Sequence, residues 1–320
     1  MYDTIIIGSG PAGMTAAIYA VRREMKTLLI GKEIGGQMIL ANEIENYPGF
    51  QSIKSFELIQ KIKEQAVNFG TELVNEEVIK IEKQNNIFTV HTNKQAYQGK
   101  TVIITMGLSP RQLAVPGEKE FNGRGVSYCA NCDGPFYKNK TVAVIGNGNS
   151  ALDAAEVMSK IAQKVFLINR GQDFKAFDTL VNEVKKRENI EIVYDADTKE
   201  IVGEGKVEKL IYSHLLTNEE REIKTDGVFI EIGRIATTDL VADFVERDEQ
   251  KQIIVNDVME TKTPGLFAAG DVTTVQYKQI TIAMGQATIA ALSAYQYIQM
   301  NAELLKWTQN CYNVNIIKKY

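Results

Sequence analysis

Two cysteines separated by two residues are the side chains in this sequence that point most directly to chemistry. They are Cys129 and Cys132, in the stretch Ser127–Pro135. A Cys-x-x-Cys pair can close a small disulfide ring, and one of its thiols can have a lowered pKa. Asp133 follows directly and can supply or take a proton as the disulfide opens and closes. The pattern predicts a redox-active dithiol with Asp133 as its acid or base.

A glycine-rich turn near the start predicts a dinucleotide site. The apolar run Thr4–Ile7 predicts a buried strand, and helix-forming residues follow from Met14. In the spacing Gly-x-Gly-x-x-Gly, the glycines permit a tight turn, close approach of a pyrophosphate and close helix–strand packing. The helix N-terminus then meets the phosphate charge. The turn residues are Gly8, Gly10, Pro11, Ala12 and Gly13.

The acidic residue that usually binds a ribose is missing from the end of the next predicted strand, Thr27–Ile30. Gly31 and Lys32 stand there, and Glu33 is the nearest candidate.

A second glycine-rich turn lies just after the cysteine pair. The strand Thr141–Ile145 leads into a Gly-x-Gly-x-x-Ala turn and the helix Leu152–Ile161. Two such motifs in one chain predict two bound dinucleotides, which is the arrangement needed for electron transfer between cofactors. The candidate contacts in this turn are Gly146, Gly148, Asn149 and Ser150.

The residues after the strand Lys164–Ile168 bear on which nicotinamide binds. An acid at this strand end favours an unphosphorylated ribose, and an arginine favours a 2′-phosphate. Arg170 and Lys175 are the basic candidates here, and no acid occupies the strand end. The pattern favours NADPH over NADH. The alternative is that Arg170 is a solvated surface residue.

Further along, the apolar run Gly265–Ala269 predicts a buried strand that ends at Gly270 and Asp271. Because a buried carboxylate must be paired, we predict that Asp271 contacts a ligand. A long helix is predicted from Ile280, and the tail after it could pack on a surface, reach a partner subunit or fray.

Two further segments carry structural predictions. Residues 55–69 predict an amphipathic helix whose periodic apolar residues, Phe56 and Phe69 among them, belong to the core. Residues 253–255 predict a short strand.

Composition narrows the class of protein. The chain has 320 residues, enough for two domains, with 44% hydrophobic and 24% charged residues. Its formal net charge of −4 does not indicate the basic surface that binds nucleic acid or an anionic membrane. Three cysteines and a first strand that leaves no room for a signal peptide predict a cytoplasmic protein.

His91, His214 and Cys311 are remote from the cysteine pair, so we expect no metal site.

In combination, these motifs resemble the low-molecular-weight thioredoxin reductases over nearly the whole chain. The order and spacing of the matching stretches make the resemblance specific. They are Gly8–Gly13, Gly35–Gln37, Glu45–Gly49, Cys129–Gly134, Gly146–Ala151 and Thr263–Asp271.

The resemblance implies an α/β protein with two Rossmann-like dinucleotide-binding domains. Residues 1–113 and 241–320 would form the FAD domain, and residues 114–240 the inserted NAD(P)H domain that carries the Cys-x-x-Cys pair. The inserted domain would rotate about its two linkers. A homodimer and a thioredoxin-like electron acceptor are also implied.

The resemblance also implies roles for single residues. Cys132 would face the flavin, Cys129 would attack the disulfide of the thioredoxin-like protein, and Asp133 would donate the proton. The residues implied at FAD are Glu33, Gly36, Gln37, Asn46, Gly270, Asp271, Gln279 and Ile280.

Several departures from the family pattern keep the electron donor open. The family usually has His-Arg-Arg and a later arginine, where this chain has Asn169-Arg170-Gly171 and Lys175, and Lys278 replaces an arginine. An arginine fork grips a phosphate in ways that a lysine does not. NADH or ferredoxin therefore remain alternatives to NADPH. The cysteine stretch also resembles the flavoprotein of alkyl hydroperoxide reductase, and a redox sensor that binds FAD without turnover is a further alternative.

Overall fold

A computed structural model describes residues 1–40 and 43–317 of the chain, with side chains for residues 1–39 and 43–301. The chain divides into two compact units. The first contains Met1–Ile39, Glu43–Leu108 and the residues from Ala236 onward, and the second is built on Ser109–Ile235. Within the described residues, no helix combines the length and apolarity needed to cross a membrane.

The first unit combines a mixed sheet with three helices. Its elements are β1 (Tyr2–Ile7), α1 (Pro11–Val21), β2 (Thr27–Gly31), β3 (Glu43–Ile44), β4 (Ile53–Lys54), α2 (Ser55–Asn68), β5 (Glu72–Asn75), β6 (Val78–Gln84), β7 (Ile87–Thr92), β8 (Ala96–Ile104), β19 (Leu266–Ala268) and α6 (Ile280–Ile317).

The main sheet of this unit reverses its strand order beside β1. The order is β5-β2-β1-β8-β7-β6, and β19 pairs with β8. Strands β1, β2, β5, β8 and β19 run parallel, whereas β6 and β7 are antiparallel to their neighbours. The carboxyl ends of β1, β8 and β19 therefore meet at one edge. The middle of the sheet lies in the core, where side chains such as Ile5, Phe88 and Val102 are completely buried.

Helix α2 buries a narrower face than its periodicity predicts. Leu58, Ile59 and Ile62 are buried as part of that face. Phe56 is 72% exposed and Phe69 is 46% exposed, so the prediction that both belong to the core is wrong. Phe56 stands at the start of the helix, and Phe69 lies beyond its end with the Arg22 guanidinium over its ring.

The predicted strand at residues 253–255 does not form. Ile253 is fully buried, but it makes only single bridges, to Arg247 and to Thr273. Burial of one apolar residue in an irregular segment produces the same short hydrophobic signal as a strand.

The second unit contains a parallel sheet and a separate antiparallel one. Its elements are β9 (Ser109–Pro110), β10 (Val126–Ser127), α3 (Ala130–Asp133), β11 (Thr141–Ile145), α4 (Asn149–Ser159), β12 (Lys164–Ile168), α5 (Asp178–Lys185), β13 (Ile190–Val193), β14 (Ala196–Gly203), β15 (Val207–His214), β16 (Glu220–Lys224), β17 (Gly227–Ile230) and β18 (Arg234–Ile235).

The parallel sheet of the second unit has the order β10-β17-β11-β12-β13. Two hydrophobic clusters cover its faces. Phe229 belongs to the cluster that includes Leu152 of α4, and Ile230 belongs to the cluster that includes Tyr212 of the antiparallel sheet. Strands β9 and β18 pair with each other, so the segments that enter and leave the unit are hydrogen-bonded neighbours.

The buried carboxylate of Glu118 accepts hydrogen bonds from the start of the second unit and from Tyr128, which precedes the first redox cysteine. Glu118 is 1% exposed and accepts hydrogen bonds from the backbone N–H of Leu113 (2.9 Å) and of Ala114 (2.7 Å). It also accepts one from the Tyr128 hydroxyl at 2.8 Å. Burial and this bond raise the pKa of Tyr128. Ala114 has a φ of 61°, a costly conformation for a residue with a side chain. The carboxylate of Glu118 therefore fixes both this strained linker and Tyr128, next to Cys129.

Replacement of Glu118 should destabilise the second unit. We expect Glu118→Ala to cost about 3 kcal/mol, because it leaves three part-buried donors unpaired at about 1 kcal/mol each. Tyr128→Phe, which removes one bond, should cost less. Urea unfolding followed by circular dichroism measures both variants. The exposed neighbour Glu120 supplies a control, since Glu120→Gln should leave the transition unchanged. Equal stability of Glu118→Ala and the parent chain would contradict the role of this carboxylate.

Candidate redox and dinucleotide sites

The two cysteines of the second unit form a disulfide at the N-terminus of α3. Cys129 is the N-cap of this short helix, and its Sγ accepts a hydrogen bond from the Cys132 backbone N–H at 3.1 Å. Cys129 is buried, with 9% of its surface exposed, whereas Cys132 is exposed. The two cysteine residues therefore differ in accessibility in this structure.

Asp133 is held in place by a serine that sequence reasoning missed. The Ser127 hydroxyl donates to Asp133 Oδ2 at 2.6 Å and accepts from the Cys129 backbone N–H at 3.0 Å. The Asp133 backbone N–H donates to Cys129 O at 3.1 Å. These bonds tie the Asp133 carboxylate to Ser127 and the Asp133 backbone to Cys129. The serine stands two residues before the first cysteine, but nothing in its own sequence context indicated this contact.

The glycines of the first motif allow a backbone approach that no side chain would permit. A Cβ on Gly8, which has a φ of +112°, would lie 2.4 Å from the Thr105 carbonyl oxygen. A Cβ on Gly13 would lie 1.7 Å from the Gly8 carbonyl oxygen. Helix α1 begins at Pro11, after Gly10, with no side chain capping its first N–H groups. Pro11 carries no N–H, so the N–H groups of Ala12 and Gly13 are the first that the helix offers to a phosphate.

Polar residues that are distant in sequence meet in pairs in this unit. Gln37 Nε2 donates to Asp271 Oδ2 at 3.1 Å, and Asn46 Nδ2 donates to Gln279 Oε1 at 3.2 Å. A Cβ on Gly36 would lie 3.1 Å from Gly10 Cα. The structure thus brings four predicted polar residues together in pairs, and it places Gly36 against the phosphate turn.

Glu33, Gly270 and Ile280 occupy three further positions in this unit. The Glu33 carbonyl oxygen accepts from the Ser9 hydroxyl at 2.8 Å, which places Glu33 beside the first glycine turn. A Cβ on Gly270 would lie 3.1 Å from Ala12 Cβ, and Ile280 is the first residue of α6.

Two residues outside the predicted set organise the segment around Asp271. The Lys278 ammonium donates to the carbonyl oxygens of Asp271 (3.1 Å) and Thr273 (2.7 Å), and burial lowers its pKa. The Gln286 Oε1 accepts from the Gly270 N–H at 2.9 Å. The glycine cradle and these polar groups fit a dinucleotide such as FAD. We noted Lys278 in the sequence only as a departure from the family pattern, and Gln286 gave no signal.

The second glycine motif forms a similar turn between β11 and α4. A Cβ on Gly146 (φ +147°) would lie 2.3 Å from the carbonyl oxygen of Glu231, which follows β17. Gly148 is the N-cap of α4, and no side chain caps the helix. Asn149 and Ser150 start the helix, and Asn149 Oδ1 accepts from the Phe177 backbone N–H at 2.9 Å. This turn fits the phosphates of a second dinucleotide.

The basic residues next to this turn differ in their pairing. Arg170 is 75% exposed, and its Nε lies 2.9 Å from Asp197 Oδ1. Lys199 also pairs with Asp197, at 2.6 Å. Lys175 lies beside the turn, where its backbone N–H donates to Asn147 O at 2.8 Å. The side chain of Lys175 is exposed and makes no ion pair with any described residue. Arg170 therefore shares its charge with an acid, and Lys175 does not.

Across the described side chains, no group of three or more His, Cys, Asp or Glu residues could hold a metal ion. His91 lies 2.7 Å from Glu82 in an ordinary surface pair.

Comparison with known proteins places the chain among flavin-dependent reductases. Residues 2–287 match the profile of the pyridine nucleotide-disulphide oxidoreductase family. The chain is 40% identical to the thioredoxin reductase of Treponema pallidum over 299 residues, covering 93% of this chain and 97% of the relative.

Solved structures agree with this comparison. The crystal structure of the Lactococcus lactis thioredoxin reductase in the FR conformation matches with a TM-score of 0.85 and 39% identity, covering 94% of this chain and all of that one. A ferredoxin-flavin thioredoxin reductase from Clostridium acetobutylicum matches with a TM-score of 0.52 and 35% identity, covering 93% and 98%.

The match extends over both glycine motifs and the cysteine pair, and it includes nearly the full length of each relative. The chain belongs to the thioredoxin reductases, flavoenzymes of the pyridine nucleotide-disulphide oxidoreductase family.

Proposed function

We propose that this chain uses NAD(P)H, with NADPH favoured, to reduce the disulfide of a thioredoxin-like protein through FAD and the Cys129–Cys132 pair. The observation that carries the proposal is the closed disulfide beside Asp133, in the unit that also holds the second glycine motif. We further propose a homodimer, as the family resemblance implies. A cytoplasmic location stays a prediction.

The FAD would be held by the first unit. Its phosphates would lie at the N-terminus of α1, on the backbone of Gly8–Gly13, and its polar edges would contact the Gln37–Asp271 and Asn46–Gln279 pairs. A bound FAD would supply two-electron transfer between the nicotinamide and the Cys129–Cys132 disulfide. The nicotinamide dinucleotide would lie at the N-terminus of α4.

The chain's own residues carry the thiol chemistry. Reduction of the Cys129–Cys132 bond adds two electrons and leaves two thiolates; one proton gives a thiol and a thiolate, and a second proton completes the dithiol. Asp133, which Ser127 holds by a hydrogen bond, would supply one of these protons and take it back. The family pattern assigns Cys129 to the attack on the partner disulfide. Because Cys129 is 9% exposed, this assignment requires Cys129 to become accessible before the partner reacts.

Replacement of either redox cysteine separates flavin reduction from disulfide reduction. We expect Cys132→Ser and Cys129→Ser to keep the bleaching of the flavin by NADPH under anaerobic conditions. Both should lose reduction of a thioredoxin disulfide, because a single thiol cannot accept the electron pair and release the product. Cys311→Ser replaces the third cysteine of the chain and serves as the control with retained turnover. Disulfide reduction that survived in Cys132→Ser would refute the assignment of the redox pair.

The nucleotide preference should depend on the Arg170–Asp197 pair. We expect Arg170→Ala to raise the KM for NADPH roughly tenfold and to leave that for NADH unchanged, because a hydrogen bond to a charged group contributes about 1.5–3 kcal/mol before solvent screening. Asp197→Asn should have the opposite effect, since it releases the guanidinium for a 2′-phosphate. Steady-state kinetics with both nucleotides measures these shifts.

Arg221 provides a matched control for that comparison, because it is also an arginine of the second unit with an acidic partner, Glu219 at 2.7 Å. Arg221→Ala should change neither KM. If Arg170→Ala and Asp197→Asn both leave the ratio of the two KM values unchanged, Arg170 does not distinguish NADPH from NADH.

A second candidate function is reduction by ferredoxin instead of a nicotinamide. It is favoured by the pairing of Arg170 with Asp197 and by the similarity to a ferredoxin-flavin thioredoxin reductase. Anaerobic mixing with NADPH, NADH and reduced ferredoxin in separate experiments distinguishes the donors by flavin absorbance. Bleaching by ferredoxin alone would replace the nicotinamide proposal. A flavin that is reduced while no disulfide substrate turns over would indicate a redox sensor.

A further inference from the structure

The parallel sheet of the second unit has one point where its strand order reverses. From β11 the chain adds β12 and then β13 on one side, and it returns to place β17 on the other side of β11. In open α/β sheets, ligands bind in the crevice outside the carboxyl ends of the two strands at such a reversal. Gly146 follows β11, and Glu231 follows β17. These two residues therefore border the crevice.

The backbone of Glu231 is in direct contact with the second glycine turn. Its N–H donates to Ile145 O at 2.8 Å, which extends the pairing of β17 with β11 by one residue. Its carbonyl oxygen fills the space that a side chain on Gly146 would need. Glu231 thus lies at the turn that receives the phosphates.

The side chain of Glu231 projects toward helix α4. Successive residues of a strand point to opposite faces, and Phe229, two positions earlier, packs in the cluster that contains α4 residues. The charge of Asp153, in the first part of α4, acts on Glu231 in agreement with this direction. The carboxyl group is therefore on the face of the sheet where the N-terminus of α4 would bind the pyrophosphate.

The surroundings of Glu231 disfavour its negative charge. Burial raises the pKa of Glu231 to about 7, and the neighbouring Arg234 opposes this effect while Asp153 adds to it. Burial and Glu156 also raise the pKa of Asp153. A raised pKa in an acid means that the neutral form is favoured below about pH 7 and the charged form above it. A bound pyrophosphate would add two negative charges to this same region.

We propose that the Glu231 carboxyl lines the nicotinamide-nucleotide crevice and takes up a proton from solvent when the dinucleotide binds. The neutral carboxyl can donate a hydrogen bond to a phosphate or ribose oxygen, whereas the carboxylate repels the phosphates. Nucleotide binding is then tighter at lower pH. This inference rests on the proposed use of a nicotinamide donor, and it adds a group outside the two glycine motifs and the basic residues.

Calorimetry of NAD⁺ binding to the oxidised holoenzyme tests the proton uptake. NAD⁺ does not reduce the flavin, and it lacks the 2′-phosphate whose own titration near pH 6 would add protons of its own. Titrations at pH 7.5 in buffers of different ionisation enthalpy give the number of protons taken up. We expect a value between zero and one for the parent chain and a value near zero for Glu231→Gln. Glu204→Gln, an exposed acid of the same unit, should behave like the parent chain.

The pH dependence of the Kd for NAD⁺ gives a second readout. The Kd for NAD⁺ should rise several-fold from pH 6.5 to pH 8.5 and should rise less in Glu231→Gln. No proton uptake by the parent chain, or equal uptake in Glu231→Gln, would overturn the inference while leaving the nicotinamide donor intact. Absence of binding by both NAD⁺ and NADP⁺, together with no bleaching by NADH or NADPH, would overturn the donor assignment and this inference with it.

Discussion

Close backbone approach at the two strand-to-helix turns is the constraint on which the rest of the structure depends. At Gly13 in the first unit and at Gly146 in the second, an added Cβ would lie within 2.5 Å of a carbonyl oxygen. The absence of side chains lets each helix start directly at the edge of its sheet, with uncapped N–H groups facing outward. Each unit thereby offers a phosphate site at its carboxyl edge, and the other functional groups are arranged around these two edges.

The elements that the sequence predicted best are those whose signal is local. Both glycine turns, their strands and their helices follow from short stretches in which apolar runs, glycines and helix formers occur in a fixed order. The core assignment of Phe56 and Phe69 was wrong because helical periodicity identifies a face but not how far along the helix its neighbours cover that face. Strands β14 and β16 were not predicted, since their polar and charged residues lie on a half-exposed antiparallel sheet.

The contacts that organise the sites were harder to predict because their partners are distant in sequence or are backbone groups. Glu118 has the sequence context of a surface acid, yet three donors surround it in the interior. Glu231 follows an ordinary buried strand, and only the strand order shows that it borders the nucleotide crevice. For Gln37 and Asp271 the resemblance indicated a shared ligand, while their direct hydrogen bond required the fold.

The pairing of β9 with β18 has a consequence for how such a two-unit chain could arise. Ser109 and Ile235, the first and last residues of the main segment of the second unit, lie opposite each other in an antiparallel pair. A segment whose ends are neighbours can be inserted into a surface loop of another fold without separating the residues on either side of that loop. The first unit can therefore accommodate the 127 residues 109–235 between its own residues Leu108 and Ala236. The chain therefore satisfies the geometric condition for one folded unit to be inserted within the sequence of another.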